Sequence, residues 1–397
     1  IWSETENVAW RTPIPGRGWS SPVVGDEEVW VTTAVETPAT EDEARRRAVT
    51  IGSSQPLAAA RRVSLRAIGL ERASGKVRRD IEVIAVDDPE PIHVLNSYAS
   101  PTPVLEGGRV YCHFGTSGTA CVDARGGSVL WVSRELRCQS ENGPGGSPVP
   151  WRHLLIVQMD GLDAQFVAAL EKQGGRLVWK TARSGALREQ PLQRQGYSTP
   201  LVVEVGGRPQ VLSLGADWLY AYDPASGAEL WKLACGPAWC STPRPVVGDG
   251  TIYLGISFPR AEVVAVRLGG AAGPEVAWRA ARQAPQVPSP TLVGDALYTV
   301  SDRGGILTCL DAQSGQPRWS ERLGGNHAAS PVLAAGRLYV ASREGEVAVV
   351  EAGAASKVLA RNRLEGAITA SPAVDSSGAL YLRTEKAVYR IKESMPR

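Results

Sequence analysis

Short apolar segments separated by glycine and aspartate turns follow one another along the whole chain in groups of four. After Pro290 the four segments are "TLVG", "ALYTVSD", "GILTCLD" and "PRWSERL", and other stretches repeat this order. Runs of this length bounded by turn residues predict β-strands joined by hairpins. The repeats lack the 3.6-residue spacing of amphipathic helices. The pattern therefore predicts an all-β protein built from four-stranded antiparallel units.

A Ser-Pro or Thr-Pro pair opens each unit and sets the period. These anchor prolines stand at positions 22, 101, 148, 200, 243, 290, 331 and 372, which gives successive spacings of 79, 47, 52, 43, 47, 41 and 41 residues. Counting from Pro372 through residue 397 and on to Pro22 gives 47 residues, so the array closes on its own period. Four strands in such a period are typical of a β-propeller blade. The sequence predicts one eight-bladed β-propeller domain over residues 1–397.

The last unit stops after its third segment, "AVYRIKE", and its fourth segment is found at the other end of the chain. "ENVAWRTPI" has the tryptophan pattern of the fourth segments elsewhere. Counted around the ring, Trp10 lies 35 positions after Pro372, and the other tryptophans lie 29 to 35 positions after their anchors. Residues 1–12 are therefore predicted to pair with an edge that would otherwise stay open.

The junctions between third and fourth segments carry a family motif. In "AYDPASGAELW", "CLDAQSGQPRW", "CVDARGGSVLW" and "ALEKQGGRLVW" an acidic residue stands eight positions before Trp231, Trp319, Trp131 or Trp179. This resembles the tryptophan-docking motif of pyrroloquinoline-quinone (PQQ)-like propellers, and the chain resembles a bacterial branch of that eight-bladed repeat superfamily over nearly its whole length. The resemblance implies that the glycine forms the hairpin turn while the indole fills the gap to the next blade. Blades 1 and 7 have Arg79 and Ala360 at the tryptophan position, and Trp278 of blade 5 has altered spacing.

The resemblance leaves two kinds of function open. Quinone-dependent dehydrogenases of the superfamily are commonly longer, and many have two adjacent disulfide-bonded cysteines beside PQQ and Ca²⁺; this chain has no Cys-Cys pair. Other members are non-enzymatic, among them an outer-membrane assembly lipoprotein that acts as a docking scaffold. We expect a non-enzymatic binding or protein-interaction scaffold without a cofactor. The alternative is a quinone- or metal-dependent oxidoreductase, with PQQ or Ca²⁺ at the mouth of the channel.

Composition narrows the partners and the compartment. The net charge of +2 favours neither nucleic acid nor a membrane surface. No apolar run approaches the roughly 18 residues of a membrane span. The chain begins with Ile1 instead of Met, which fits a removed leader and a periplasmic or extracellular bacterial protein, although a cloning boundary fits equally well. We expect a monomer.

The six cysteines form no C-x-x-C pair, so zinc spacing is absent. We expect buried free thiols rather than disulfides, and Cys235 with Cys240 is the first pair to check.

Residues 36–62, "ETPATEDEARRRAVTIGSSQPLAAARR", form a long insertion between the second and third strands of blade 1. Thr40 and Glu43 match a capping box, which predicts the start of a short helix. Five arginines make the insertion basic. The insertion is either a lid or docking site, or a loop that is simply exposed to solvent, and the sequence leaves both interpretations open.

Two sets of loops share one face of a propeller, around the mouth of its channel: the blade-to-blade crossovers and the loops between second and third strands. We call this the crossover face; it includes "GRGWSSP", "DDPEPIHVLNSYASP", "HFGTSGTAC", "QGYSTP", "GADWLYAY", "PAWCSTP", "SDRGGIL" and "GGNHAASP". The opposite turn face consists of tight turns such as "VGDA", "AAGR" and "PASG". We predict that any specific binding occurs on the crossover face.

The candidate ligand-binding residues combine aromatic rings with polar groups at these positions. Aromatic walls suit sugars, flat cofactors or peptides, whereas rings that merely fill the channel ends are the alternative. The candidates are Trp19, His93, Asn96, Tyr98, His113, Tyr197, Asp217, Trp239, Asp302, Arg303 and His327.

Asp160 and Asp163 in "QMDGLDAQF" are candidate Ca²⁺ ligands, although an Asp-Gly hairpin more often uses its aspartate to stabilise the turn. No H-x-x-x-H spacing supports a histidine metal site at His93 and His113. The chain has neither a G-x-S-x-G elbow nor a P-loop, so nothing in the sequence predicts a hydrolase or a nucleotide-binding protein.

Overall fold

The chain forms eight four-stranded antiparallel sheets, the blades of a β-propeller, in a computed structural model that describes residues 1–51, 55–270 and 273–392. In every blade the strands follow chain order from the inside to the outside, except that the outermost strand of blade 8 comes from the N-terminus. The predicted fold class is therefore confirmed. No helix in the described part of the chain is long and apolar enough to span a membrane.

Each blade contains four strands, in the following order from the innermost to the outermost. Blade 1 has β2 (Val23–Val24), β3 (Glu28–Pro38), β5 (Ala60–Glu71) and β6 (Val77–Asp87); blade 2 has β8 (Val104–Glu106), β9 (Arg109–His113), β10 (Thr119–Asp123) and β11 (Val129–Ser133); blade 3 has β12 (Val149–Trp151), β13 (Leu154–Asp160), β14 (Gln165–Glu171) and β15 (Leu177–Ala182); blade 4 has β16 (Leu201–Val205), β17 (Arg208–Leu214), β18 (Trp218–Tyr222) and β19 (Glu229–Ala234). Blade 5 has β20 (Val246–Gly248), β21 (Thr251–Ile256), β22 (Glu262–Gly270) and β23 (Gly273–Ala280); blade 6 has β24 (Thr291–Val293), β25 (Ala296–Val300), β26 (Ile306–Asp311) and β27 (Pro317–Arg322); blade 7 has β28 (Val332–Ala334), β29 (Arg337–Ala341), β30 (Glu346–Glu351) and β31 (Val358–Arg363); blade 8 has β32 (Ala373–Val374), β33 (Leu380–Arg383), β34 (Ala387–Ile391) and β1 (Val8–Pro13). Outside the blades lie helix α1 (Glu41–Ile51), the paired strands β4 (Leu57–Ala58) and β7 (Ile92–His93), and 3₁₀ turns at Gly115–Ser117 and Pro191–Gln193.

The N-terminal strand closes the ring, as predicted. Strand β1 pairs antiparallel with β34, with Arg11 opposite Tyr389. Beyond this strand the backbone N–H of Trp2 donates a 2.8 Å hydrogen bond to the side-chain oxygen of Asn362 in blade 7. The Trp2 indole also stacks on Tyr339 of blade 7. The N-terminal segment therefore completes blade 8 and joins it to blade 7.

Two blades begin later than the predicted anchors. Their inner strands start after Pro103 and Pro245, whereas the predicted anchors Pro101 and Pro243 lie in the preceding crossovers. In both places two X-Pro pairs follow each other, as "SPTPV" and "TPRPV", so either proline fits the repeat. With the corrected anchors the spacings become 81, 45, 52, 45, 45, 41 and 41 residues, which is more regular.

The residue before each of these prolines links neighbouring blades. The backbone N–H of this residue donates to the side-chain hydroxyl of the corresponding residue in the next blade. The proline that follows keeps the backbone of this residue extended. Six such bonds of 2.9–3.0 Å run from Ser21 to Thr102, Thr102 to Ser147, Ser147 to Thr199, Arg244 to Ser289, Ser289 to Ser330, and Ser330 to Ser371. The repeated Ser-Pro and Thr-Pro pairs therefore supply a hydroxyl that joins successive blades.

Arg244 interrupts this series of hydroxyls. It stands before the anchor proline of blade 5, where its side chain offers no acceptor to the backbone N–H of Thr199. Arg244 is exposed, so its replacement by a smaller residue leaves no buried cavity. We expect Arg244→Ser to raise the free energy of unfolding by about 1 kcal/mol relative to Arg244→Ala, because only serine supplies the missing acceptor. Urea denaturation of both variants measures the difference, and equal stabilities would contradict this role for the hydroxyl chain.

Tryptophans of the outer strands contact the next blade. The indole N–H of Trp179 donates to the carbonyl of Pro224 at 3.1 Å, and a Cβ built on Gly227 would lie 2.5 Å from its ring. The same pairing joins Trp10 to Gly75, Trp131 to Gly175 and Trp278 to Gly315, each indole also donating to a carbonyl of the next blade. The glycines therefore leave the space that the rings fill.

Trp231 differs from this pattern. It is half-buried, and its indole N–H donates to the side chain of Gln210 in its own blade at 2.9 Å. Arg79, which stands at the tryptophan position of blade 1, donates to the carbonyl of Arg125 in blade 2. A guanidinium can thus make the inter-blade hydrogen bond that an indole makes elsewhere.

The insertion of blade 1 is narrower than predicted, because β3 continues to Pro38 and β5 begins at Ala60. Helix α1 starts at Glu41 with the predicted capping box: the backbone N–H of Thr40 donates to Glu43 at 2.8 Å, and that of Glu43 donates to the Thr40 hydroxyl at 3.4 Å. Two ion pairs join α1 to blade 1, Glu43 with Arg61 of β5 and Arg47 with Asp88 just after β6. Arg62 pairs with Asp87 across β5 and β6. These pairs offset the positive charge of three of the five arginines.

All six cysteines carry free thiols, five of them buried and Cys240 half-buried. The expectation of free thiols agrees with this arrangement.

Candidate functional site

A cavity of about 60 Å³ lies on the crossover face between blades 2 and 3. Three crossovers form its walls, those from blade 1 to 2, from 2 to 3 and from 3 to 4, together with the loop after β9 and the end of β13. Four sequence-predicted residues meet at this cavity, Tyr98, His113, Asp160 and Tyr197. His113 and Asp160 end strands of blades 2 and 3, while Tyr98 and Tyr197 lie in the crossovers that lead into blades 2 and 4.

An adjacent cleft of about 320 Å³ lies between this cavity and the insertion. Both are lined by Pro89, Glu90, Pro91 and Ser140, and the cleft is also lined by Arg47 of α1 and by Leu162. Glu90 therefore borders both spaces. Sequence reasoning did not single it out, although its position between two prolines was a visible signal.

Glycines of the crossover "NGPGGSP" allow the chain to pass between its neighbours. A Cβ on Gly143 would lie 2.5 Å from the Ile92 side chain, and one on Gly145 would lie 2.8 Å from the Cβ of Tyr197. Gly143 also has a positive φ of 86°, which residues with a side chain rarely adopt. This crossover therefore contributes backbone, and little side-chain bulk, to the cavity wall.

His113 is buried at the end of β9 and its Nδ1 lies 2.8 Å from the Thr119 hydroxyl. Burial lowers the pKa of His113 to about 4, because the charged ring would lose its hydration. The imidazole is therefore neutral near pH 7 and adds no positive charge to the cavity.

The two tyrosines of the cavity use their hydroxyls to fix the crossovers. The Tyr98 hydroxyl donates to the carbonyl of Glu90 at 2.8 Å. The Tyr197 hydroxyl donates to Gln195 at 2.7 Å and accepts a 2.8 Å hydrogen bond from Asn142. Burial raises the pKa of both phenols, so they remain protonated donors.

Asp160 forms a buried bidentate ion pair with Arg183, with Nε–Oδ1 and Nη2–Oδ2 distances of 3.0 and 2.8 Å. Asp163 accepts the backbone N–H of Gln139 at 2.7 Å. The two carboxylates therefore do not offer Ca²⁺ a shared set of free ligands. The described residues also contain no group of three or more His, Cys, Asp or Glu side chains able to hold a metal ion.

A second group of predicted residues lies between blades 4 and 5. Arg188 pairs with Asp217 at 2.7 Å, and its guanidinium carbon lies 4.5 Å from the centre of the Trp239 ring. Asp217 also accepts the backbone N–H of Ala238 at 2.7 Å. One face of the Trp239 indole is thus covered by Arg188.

Trp19, His93 and Asn96 hold the first crossover together. The Trp19 indole donates to the carbonyl of Leu95 at 3.1 Å, and His93 Nδ1 accepts the Leu95 N–H at 3.1 Å. Asn96 donates to the carbonyls of Asn142 and Pro144 in the next crossover. Arg17 covers one face of Trp19 at 5.4 Å. Trp19 and Trp239 thus each have one ring face covered by an arginine.

Asp302, Arg303 and His327 lie apart from the cavity, at blades 6 and 7. His327 is only 4% exposed, and its Nδ1 and Nε2 lie 2.8 and 2.9 Å from the carbonyl oxygens of Ala341 and Gly324. Asp302 accepts the backbone N–H of Val287 at 2.9 Å. Arg303 is exposed and forms an isolated β-bridge with Asn326. His327 and Asp302 use their polar atoms within the fold, and a ligand-binding role for the three residues stays a prediction.

Large apolar side chains are exposed on the crossover face. Leu95, Leu187 and Phe258 are 57%, 51% and 44% exposed in its loops. Val35 and Val94 on the same face, and Val49 of α1, add further exposed apolar surface. The described turns of the turn face expose no large apolar side chain.

A family model described as outer membrane protein assembly factor BamB matches residues 1–181, 143–268, 215–304 and 261–393. The chain belongs to this family. The PQQ-like resemblance drawn from the sequence is thereby confirmed. A comparison with curated proteins gave no significant match.

Solved structures share the fold of this BamB-family chain at low identity. BamB from Moraxella catarrhalis has a TM-score of 0.62 at 16% identity, covering 97% of this chain and 98% of its own. The computationally designed Ika8 protein has a TM-score of 0.60 at 10% identity, covering 95% and 100%. A europium-containing methanol dehydrogenase has a TM-score of 0.53 at 12% identity, covering 94% and 84%. At these identities the similarities show the fold alone.

Proposed function

We propose that this chain is a non-catalytic scaffold that binds a protein partner through its crossover face. The observation that carries the proposal is the exposure of Leu95, Leu187 and Phe258 in loops of that face, while the described turns opposite expose no large apolar side chain. Large exposed apolar side chains in loops are typical of protein interaction sites. Others are exposed along the outer strands, among them Val178, Leu230 and Leu359, and these serve as the comparison below. Membership of a family described as an assembly factor supports the same conclusion.

The proposed setting is the bacterial periplasm or the extracellular space, with the chain acting as a monomer and without a nucleic-acid partner. It rests on the BamB-family match and on the near-neutral charge of +2. The oxidoreductase alternative has weaker support, because the methanol dehydrogenase similarity at 12% identity extends only to the fold.

The proposal predicts that the triple substitution Leu95→Ser, Leu187→Ser and Phe258→Ser weakens partner binding by about tenfold or more, because exposed apolar anchors contribute a large share of interface energy. The recovered partner is quantified by mass spectrometry after affinity capture from periplasmic extract of the source bacterium.

The matched control replaces Val178, Leu230 and Leu359, which are exposed on outer strands, with serine. Recovery should be unchanged for the control. Equal losses in both triple variants, or loss only in the control, would disprove the assignment to the crossover face.

A further inference from the structure

The carboxylate of Glu90 lies half-buried between the cavity and the cleft without a counter-ion. Its Oε2 accepts one long hydrogen bond, 3.4 Å, from the backbone N–H of Ser140, and it forms no ion pair with any described residue. Burial raises the pKa of Glu90, which reflects the cost of holding this charge away from water. A half-buried carboxylate in such a place is stabilised by any cation that can reach it.

The other charges around the two spaces are already balanced. Asp160 is paired with Arg183, and Arg47 is paired with Asp88. His113 is neutral near pH 7 and so does not act as the missing cation. Glu90 is therefore the charged side chain without an ion-pair partner among the described residues that line the cavity and the cleft. Arg137, outside this lining, favours its charged form only through a coulombic effect smaller than the effect of burial.

The backbone holds Glu90 in a fixed position. Pro89 and Pro91 flank it, and the second proline restricts Glu90 to extended conformations. The hydroxyl of Tyr98 donates to the Glu90 carbonyl at 2.8 Å, which ties the segment to the base of the crossover. A backbone held in this way loses little conformational entropy when the site binds a ligand.

The rest of the cavity suits a short aliphatic chain. Ile92, Phe114 and Met159 contribute apolar side chains to its wall. A volume of about 60 Å³ has room for roughly four to six water-sized groups. That space matches an ammonium group with three or four methylenes.

We propose that this cavity binds one alkylammonium group, whose charge pairs with Glu90 and whose methylenes lie against Ile92, Phe114 and Met159. The group belongs either to a free small amine or to a lysine side chain of a docked protein. Only the lysine source rests on the proposed function as a protein-binding scaffold.

The test uses the two methionines of the chain, labelled with ¹³C at the methyl group, because Met159 lines the cavity and reports on its contents. Titration with n-butylammonium chloride should shift the Met159 signal saturably, whereas n-butanol, which has the same shape and no charge, should bind at least tenfold more weakly. Glu90→Gln should weaken n-butylammonium binding at least tenfold. The Met159 signal of the unliganded variant should keep the position that it has in the folded, unchanged protein.

The matched control is Glu28→Gln, since Glu28 is another half-buried glutamate whose pKa is raised by burial, on the turn face. Binding by this variant should equal that of the unchanged protein. Equal affinities in Glu90→Gln and the unchanged protein, equal binding of n-butanol, or the absence of saturable binding would each overturn the proposal.

A second titration separates the two sources. Acetyl-Gly-Lys-Gly-amide should shift Met159, and its Nε-acetyllysine form should not, if the natural ligand is a lysine side chain. Binding of n-butylammonium without binding of the peptide supports a free amine. The two proposals can also fail separately. If Met159 still responds to n-butylammonium but the Leu95, Leu187 and Phe258 triple variant captures as much partner as the unchanged protein, the scaffold interface is refuted and the ammonium site is not.

Discussion

Removal of residues 1–12 is expected to lower the thermal unfolding midpoint by roughly 10 °C or more and to broaden the transition. The deletion takes away nearly all of β1, leaves β34 as an unpaired edge and removes the buried Trp10 ring from its place against Gly75. It also removes Trp2, whose ring stacks on Tyr339 in blade 7. An open propeller loses both the strand pairing and the contacts that make all eight blades unfold together.

Differential scanning calorimetry measures the midpoint and width of the transition. A synthetic peptide of residues 1–13 should restore both when added in excess, and a peptide of the same composition in scrambled order should not. If the shortened chain unfolds at the same temperature and as cooperatively as the full chain, β1 does not close the ring in solution.

Trp179→Ala is expected to lower the free energy of unfolding by about 3–5 kcal/mol. The ring is only 8% exposed, fills the space left by Gly227 and donates a hydrogen bond to Pro224 of the next blade. The substitution therefore leaves a cavity between blades 3 and 4 and an unpaired carbonyl.

The matched variant is Trp231→Ala, at the same position of the neighbouring blade. Trp231 is half-buried and donates to Gln210 within its own blade. Its replacement should therefore lower the free energy of unfolding by about 1–2 kcal/mol less than Trp179→Ala does. The sequence motif alone predicts equal losses for the two tryptophans. Urea denaturation measures both, and equal losses would show that the inter-blade contact adds nothing.

The architecture of the molecule could be predicted from the sequence because blade strands are local in the chain. Each hairpin, its turn glycine and its tryptophan lie within one period, and the position of Trp10 revealed the closing strand. The inner-strand starts at Pro103 and Pro245 could not be placed, because two X-Pro pairs stand side by side in each segment. Hydrogen bonding between blades decides between them, and no single blade contains that information.

The candidate site was only partly predictable for a related physical reason. Converging crossovers predicted that Tyr98 and Tyr197 would lie around one channel mouth with Trp19, Trp239 and His327, and of these five only the two tyrosines line the cavity, beside His113 of a strand loop. The distinction between a side chain that faces a ligand and one that stabilises a loop depends on contacts between distant segments. His327 is such a case, because both ring nitrogens lie within hydrogen-bonding distance of backbone carbonyls. Glu90 is the opposite case, since its exposure to two spaces follows from the packing of three crossovers.

Site-specific photocrosslinking in living bacteria tests the role of the crossover face most directly. A benzophenone amino acid placed at Leu187 or Phe258 on that face is compared with one at Arg208 or Arg337, exposed residues beside tight turns of the turn face. The scaffold account predicts a discrete protein adduct from Leu187 or Phe258 and none from Arg208 or Arg337. Adducts formed only from the turn-face positions would contradict it.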